Sequence, residues 1–437
     1  MSKNWSKILI TAFLCLSVNV VADAQSGAYT GYTPYSVFGI GDLSSSGNAY
    51  NNSMGGVGIA SRNRKYINYL NPAAVTAKDS LSFMADISLY QHNRIYTQGD
   101  AKNVTNSANI NNIAFSFPVY RSSAVMFGIA PYSSTGYGFS SVVTDPEIIG
   151  HTGNIYTSAS GQGSIYQLFA AAGATFWNSL SVGAEYIFYF GNINKTSNVT
   201  FSDSSYGGIN SGFDLDMHAG TVKLGLQYEK PVGNKTICVG ATYSFDTKVR
   251  GYITDFAYNT GAIVDTLRHN VDTLSHSGKV KFAGELGLGI SIRSGQRWMA
   301  EFDYTRSDWS DSGMEEVIGL SSVSNRRFSS TVASSYRLGF EYTPNVNDIR
   351  YYHRRCTYRL GAYRENLYYK LDGHQISSTG LTLGATLPVF RLYNGLSVAV
   401  DLGQKGSVQH DLIRERYVRF TVGFNIHDLW FQKHRYK

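Results

Sequence analysis

Residues Leu81-Ser82-Phe83-Met84-Ala85-Asp86-Ile87-Ser88-Leu89 alternate strictly. One face carries Leu, Phe, Ala, Ile and Leu, and the other Ser, Met, Asp and Ser. A period of two over this length marks a β-strand with one apolar and one polar face. The pattern recurs along the chain. Leu180, Val182, Ala184, Tyr186, Phe188 and Phe190 oppose Ser181, Gly183, Glu185, Ile187 and Tyr189. Trp298, Ala300, Phe302 and Tyr304 oppose Met299, Glu301 and Asp303. Val418, Phe420, Val422, Phe424 and Ile426 oppose Tyr417, Arg419, Thr421, Gly423 and Asn425. Fourteen such stretches are expected, at 80–91, 109–119, 122–133, 163–176, 179–193, 213–230, 235–254, 274–292, 297–307, 328–343, 350–364, 375–389, 395–404 and 413–427.

The connections sharpen the reading. Those after the even-numbered stretches read as tight turns, with Pro118, Pro231, Pro344 and Pro388 at four of them. Those after the odd-numbered stretches read as mostly long and polar, the longest running from Ser134 to Gln162. Alternating short turns and long loops distinguish the two ends of an outer-membrane β-barrel. Strand faces alone also fit a soluble sandwich, whose apolar face would point to a core.

Composition agrees with an all-β chain. Of 437 residues 43% are hydrophobic and only 16% charged, with 44 Gly, 32 Tyr and 23 Phe. The net charge is +7, and no Lys/Arg cluster denser than Arg326-Arg327 or Arg354-Arg355 stands out, so no nucleic-acid footprint is expected. Three cysteines make neither a disulfide framework nor a metal knuckle. No G-x-S-x-G elbow, H-E-x-x-H, Walker loop or C-x-x-C occurs, so no catalytic centre, metal site or cofactor is expected.

Lys3 and Lys7, the apolar run Ile8 to Leu16 and Ala22-Asp23-Ala24 before Gln25 read as a secretory signal peptide at 1–24. Residues 25–79 are Gly-, Ser- and Asn-rich with little alternation and read as a compact, turn-rich segment, the stretch on which the resemblance described below places a hatch inside the barrel. Residues 80–430 read as the barrel, and 431–437 as a basic periplasmic tail.

Two ends of the chain carry a resemblance. The first includes Thr33-Pro34-Tyr35-Ser36, Phe38-Gly39-Ile40-Gly41-Asp42-Leu43, Met54-Gly55-Gly56 and Asn68-Tyr69-Leu70-Asn71-Pro72-Ala73. The second is Arg419-Phe420-Thr421-Val422-Gly423-Phe424 with Asp428-Leu429-Trp430. The chain resembles the FadL-type outer-membrane transporters of long-chain fatty acids and other hydrophobic compounds, and more narrowly their relatives in Bacteroidetes. The resemblance implies a fourteen-stranded barrel closed by an N-terminal hatch, with the hatch motif on Asn71, Pro72 and Ala73. It also implies a kink in strand 3 that opens a lateral passage into the membrane. Gly128 and Pro131 fall in that strand, and proline cannot donate to a ladder. The alternative is that Pro131 only ends the strand.

Alternation places Asp86, Glu185, Lys223, Glu285, Glu301, Asp303, Arg337, Glu341, Arg355, Arg359 and Arg419 toward the lumen, because charges toward lipid are costly. Two readings stay open. The charges form a salt-bridge network that stiffens the barrel, or Arg337, Arg355, Arg359 and Arg419 attract a lipid carboxylate through their planar forks. In the second reading Phe169, Ile187, Tyr189 and Met84 contact an acyl tail. The expected function is therefore hydrophobic small-molecule transport by a monomer in the Gram-negative outer membrane, its partners being the lipid bilayer and the cargo. The alternatives are a non-transporting scaffold or shuttle for surface secretion and a general diffusion porin.

Overall fold

The computed structural model describes residues 33–430, apart from 46, 80, 121, 151–152, 204, 260–261, 271–279, 318, 322–325 and 390–393. The expected signal peptide at 1–24, residues 25–32 of the expected hatch and the tail at 431–437 lie outside the described residues.

The chain forms a closed fourteen-stranded antiparallel β-barrel. The strands are β1 (Ser82–Gln98), β2 (Ala101–Tyr120), β3 (Ser123–Val143), β4 (Ile155–Phe176), β5 (Leu180–Phe201) and β6 (Ile209–Val232). β7 comprises Lys235–Ser244 and Arg250–Asn259, and β8 comprises Ala262–Asn270 and Glu285–Ser294. β9 (Trp298–Asp308), β10 (Phe328–Ser330 and Val332–Tyr342), β11 (Thr357–Leu371), β12 (His374–Pro388), β13 (Gly395–Lys405) and β14 (Arg414–Leu429) complete the wall. β1 and β14 close it, in register from Ser82↔Leu429 to Thr97↔Arg414. Closure leaves no free edge there, which is how a sheet satisfies its backbone in lipid.

Large apolar side chains cover the outside, including Leu381, Leu383, Phe420, Phe424 and Ile426, all exposed. Aromatic residues gather where the barrel's two chain ends meet. Trp430 stacks on Phe83 with ring centroids 3.9 Å apart, and Trp177, Tyr120, Tyr342 and Tyr358 are exposed at the same end. An apolar band with an aromatic rim is the lipid-facing surface of such barrels.

Much of what reads as outer loop is strand. β1 and β2 continue to a two-residue turn at Gly99 and Asp100, and β11 turns into β12 at Asp372 and Gly373. Both of the latter have positive φ (51° and 80°), as a tight hairpin requires. The expected Ser134–Gln162 loop is β3 as far as Val143 and β4 from Ile155. Around Lys102–Thr105 nearly every side chain is exposed. Water on both faces removes the alternation that signals a strand. Conversely, the turn between β10 and β11 is long and holds the one-turn helix Tyr352–Arg355. This corrects one site residue: Arg355 is exposed on that helix, outside the lumen, because the strand starts only at Thr357.

The wall is not uniform. β2 and β3 pair only from Ile113↔Ile129 down to Tyr120↔Ser123. Beyond that point β2 stays paired with β1 as far as Gln98↔Ala101, and β3 stays paired with β4 as far as Val143↔Ile155. Above Pro131 the free side of β3 is taken by Asp42–Leu43, a two-residue strand of the N-terminal segment, in register Asp42↔Ser134 and Leu43↔Ser133.

Candidate functional site: the N-terminal segment and the lumen

Residues 33–79 pack against the inner faces of strands on opposite sides of the barrel. The seat is made by glycines. A Cβ on Gly225 would lie 2.1 Å from Asn71 Oδ1, one on Gly361 2.2 Å from Gly55 N, and one on Gly240 2.2 Å from Ile59 O. The series continues with Gly183 beneath Pro72, Gly384 beneath Ser53 and Gly423 beneath Ala49. Glycine inside a strand weakens it but admits another backbone. Here it does so on strand after strand, along a path that runs from β14 round to β4 as the segment runs from Ala49 to Val75.

Polar contacts fix the seat. Asp303 Oδ2 accepts the N–H groups of Gly58 (2.7 Å) and Ile59 (2.9 Å), and Glu301 Oε1 accepts that of Ala60 (2.9 Å). Carboxylates that take backbone N–H bonds form the stronger, charge-assisted kind. Lys195 Nζ donates to the carbonyls of Val37 (2.8 Å) and Gly319 (2.6 Å), tying the segment's first turn to the β9–β10 connection. Lys405 pairs with Asp42 at 2.6 Å.

The expected hatch motif is a structural joint. Asn71 caps the short helix Pro72–Thr76: its Oδ1 accepts from Ala73 N at 3.0 Å. Its Nδ2 donates to Ile59 O (2.8 Å) and Leu226 O (3.2 Å). Just before the first strand, Lys78 Nζ has no hydrogen-bond partner among the described residues, and burial pushes its ammonium down to about 7.

The three arginines that do face the lumen divide. Arg359 is committed to the seat. It donates to Glu341 (2.9 Å), Thr386 (2.8 Å) and Tyr66 OH (2.9 Å) and lies 4.6 Å and 5.0 Å from the ring centroids of Tyr50 and Tyr66. Arg337 and Arg419 instead border a cavity of about 220 Å³ together with Asp401, Lys405, Glu365 and Glu415. Arg337 pairs with Glu365 there, and Glu415 with Arg94 at 2.9 Å. Arg419 is buried, donates to Asn111 Oδ1 (2.6 Å) and Ser45 Oγ, and makes no ion pair among the described residues. Its Nε has no hydrogen-bond partner among the described residues, and its guanidinium lies 4.2 Å from the Tyr90 ring centroid. Its cross-strand neighbours are His92 on β1 and Asp401 on β13.

Phe169, Ile187, Tyr189 and Met84 are all buried in one apolar cluster. Phe169 stacks on Tyr69 of the N-terminal segment (5.0 Å), and Tyr189 lies 4.6 Å from Tyr132 of β3. None of the four borders the polar cavity. Gly128 sits in the part of β3 that is still paired, between Ala114 and Phe169. Pro131 stands at the register shift above it.

Sequence reasoning missed the glycine seat, the Lys195 tie and the Asp42–Ser134 pairing. The inward-facing glycines in successive strands are the one signal that points to the first.

A lumen occupied from the N-terminus, inside fourteen lipid-facing strands, defines a barrel of the FadL type. The chain belongs to the BamG family, whose model matches residues 3–437. Its structure is similar to that of a Pseudomonas aeruginosa FadL homologue, at 11% identity and a TM-score of 0.57 over 89% of this chain and 99% of that one. The Pseudomonas putida toluene transporter TodX matches at 15% identity and a TM-score of 0.57, covering 90% of this chain and 100% of that one. The Ralstonia pickettii toluene transporter TbuX matches at 14% and 0.52, covering 87% and 98%. At such identities the likeness speaks for the fold. No curated protein sequence matches the chain.

Proposed function

We propose that the protein moves hydrophobic small molecules, such as long-chain fatty acids, across the outer membrane. Residues 33–79 act as the hatch, and the gap between β2 and β3 acts as a lateral exit. One observation carries this reading: the β2–β3 ladder ends at Ile113↔Ile129 while both strands run on with their other neighbours. The apolar cluster of Phe169, Tyr132 and Tyr189 lies beside that gap. An apolar cargo that leaves sideways stays out of water, which is worth about 0.8 kcal/mol for each CH₂ kept buried. The transporters among the structural neighbours support the same reading. The carboxylate of an amphipathic cargo has a partner in Arg419, the cavity's unpaired guanidinium.

A second reading, a non-transporting scaffold, draws on the tightness of the glycine seat and the polar character of the cavity. Uptake of radiolabelled palmitate by cells with and without the protein separates the two. Transport requires uptake to depend on the protein, and equal uptake favours the scaffold.

A further inference from the structure

The outer surface of β11 to β14 carries a hollow of about 490 Å³ lined by Ala362, Leu381, Leu402, Gln404 and Arg416, among others. Its place in the wall follows from the register. Arg416 is paired with Gln404, Gln404 with Thr379, Thr379 with Arg364 and Arg364 with Tyr336. These residues therefore form one cross-strand row on the outer face, and the row contains two arginines and no carboxylate. Toward the aromatic end each outward file is apolar: Val418, Phe420, Val422, Phe424 and Ile426 below Arg416, and Leu402, Val400 and Val398 below Gln404. Below Thr379 stand Leu381, Leu383 and Ala385, and below Arg364 stand Ala362, Leu360 and Tyr358. The row marks the upper edge of the apolar band on four neighbouring strands. Both arginines are exposed. Arg416 Nε donates only to Gln404 Oε1, at 3.3 Å, and Arg364 makes no ion pair among the described residues. Arg416 lines the hollow, and three strand spacings of about 4.8 Å put Arg364, at the other end of the row, roughly 14 Å from it.

We infer that this hollow binds a phosphate-bearing lipid of the outer leaflet, with Arg416 and Arg364 taking the phosphates and Leu381, Leu402 and Ala362 taking the start of an acyl chain. Guanidinium binds phosphate through paired N–H donors. An apolar groove beneath it matches a molecule that is anionic at the head and hydrocarbon below. The inference rests on the membrane placement of the barrel but not on transport.

The test is native mass spectrometry of the full chain released from detergent, with bis-phosphorylated lipid A and its fully dephosphorylated form as probes. Lipid A should remain bound and the dephosphorylated form should not. The pair R364Q/R416Q should lower lipid A retention at least about tenfold, the loss of one charge-assisted contact or more, while Arg416→Lys retains part of it. Heat-modifiable migration on gels shows that each variant is folded, and palmitate uptake, measured in parallel, should be unchanged. Equal retention by R364Q/R416Q, or equal retention of the two probes, overturns the site. Palmitate uptake that does not depend on the wild-type protein would overturn transport and leave the lipid A result to decide this site.

Discussion

Asp42 of the N-terminal segment is backbone-paired with Ser134 of β3, on the side of the strand that β2 occupies lower down. The opposite side of Ser134 is paired with Ser164 of β4. The segment is thus both the filling of the lumen and a piece of the wall. Ser44 N donating to Tyr132 O (2.9 Å) and Thr33 N donating to Gly136 O (2.8 Å) extend the same contact.

If the glycine seat holds the segment, a side chain placed in it should unseat it. Gly225→Val puts bulk where Asn71 Oδ1 already sits, and Gly361→Val does so at Gly55 N. Overpacking of this kind costs about 1–3 kcal/mol. Each variant should therefore unfold at lower temperature and pass more ionic current in planar bilayers. Wild-type conductance together with wild-type stability would mean that the segment does not depend on this fit.

The acidic pair on β9 gives a separate handle. Asp303→Asn and Glu301→Gln keep the shape but remove the charge facing Gly58, Ile59 and Ala60. Weakening charge-assisted bonds to neutral ones should cost about 1 kcal/mol each. Hydrogen exchange of those three amides should quicken by about fivefold or more, at 1.4 kcal/mol per factor of ten. Unchanged exchange would assign the hold on the segment to packing alone.

Arg359 and Arg419 should separate in their effects. Arg359→Gln leaves the half-buried Glu341 without its arginine and removes the guanidinium that lies against the stacked rings of Tyr50 and Tyr66, a change expected to cost about 3 kcal/mol. Arg419→Gln removes a guanidinium that makes no ion pair among the described residues and whose neighbour Asp401 keeps its hydrogen bond from Tyr363, so its stability cost should be smaller while decanoate binding, followed by calorimetry, falls about tenfold or more. Equal losses of stability with no change in binding would make both arginines structural.

Lys78 should leave a mark on the pH dependence of stability. Burial lowers its ammonium from 10.5 to about 7, so between those values the unfolded chain binds a proton that the folded one has released. Its burial therefore disfavours the fold most below about pH 7, and the penalty fades as pH rises toward 10.5. Lys78→Met should raise stability at neutral pH and flatten that rise in denaturant titrations. The same slope in the variant would locate the titration elsewhere.

These contacts explain what could and could not be read from the chain. Strand faces such as that of Leu180, Val182 and Tyr186 were legible because lipid on one side and a polar lumen on the other force alternation. The upper parts of β1 to β6 were not, because water reaches both faces there and the selection for alternation disappears. The tight turn at Asp372-Gly373 was passed over, because the connection after the eleventh stretch was read with the long loops, although the dipeptide is one that hairpins favour. Arg355 was misplaced because the alternation of β11 can be continued backward through Tyr351 to Cys356, where one helical turn interrupts it. Alternation alone gave no partners for the charges it turned inward, such as the Asp303 contacts to Gly58 and Ile59. The pairing of Asp42 with Ser134 and the reach of Lys195 to Gly319 join residues far apart in sequence, and no local pattern encodes such contacts.

The central claim, that cargo leaves through the wall between β2 and β3, is tested most directly by closing that gap. Pro131→Val restores a ladder donor with a residue suited to strands. Ser44→Pro removes the donor that the N-terminal segment gives to Tyr132 O. The measurement is uptake of radiolabelled palmitate by cells carrying the double variant, with heat-modifiable migration and surface labelling confirming a folded barrel. Loss of uptake by a folded, surface-displayed variant is the result expected. Uptake at the wild-type rate, in a variant whose β2–β3 ladder has extended past Ile113 and Ile129, would contradict a lateral exit at this seam.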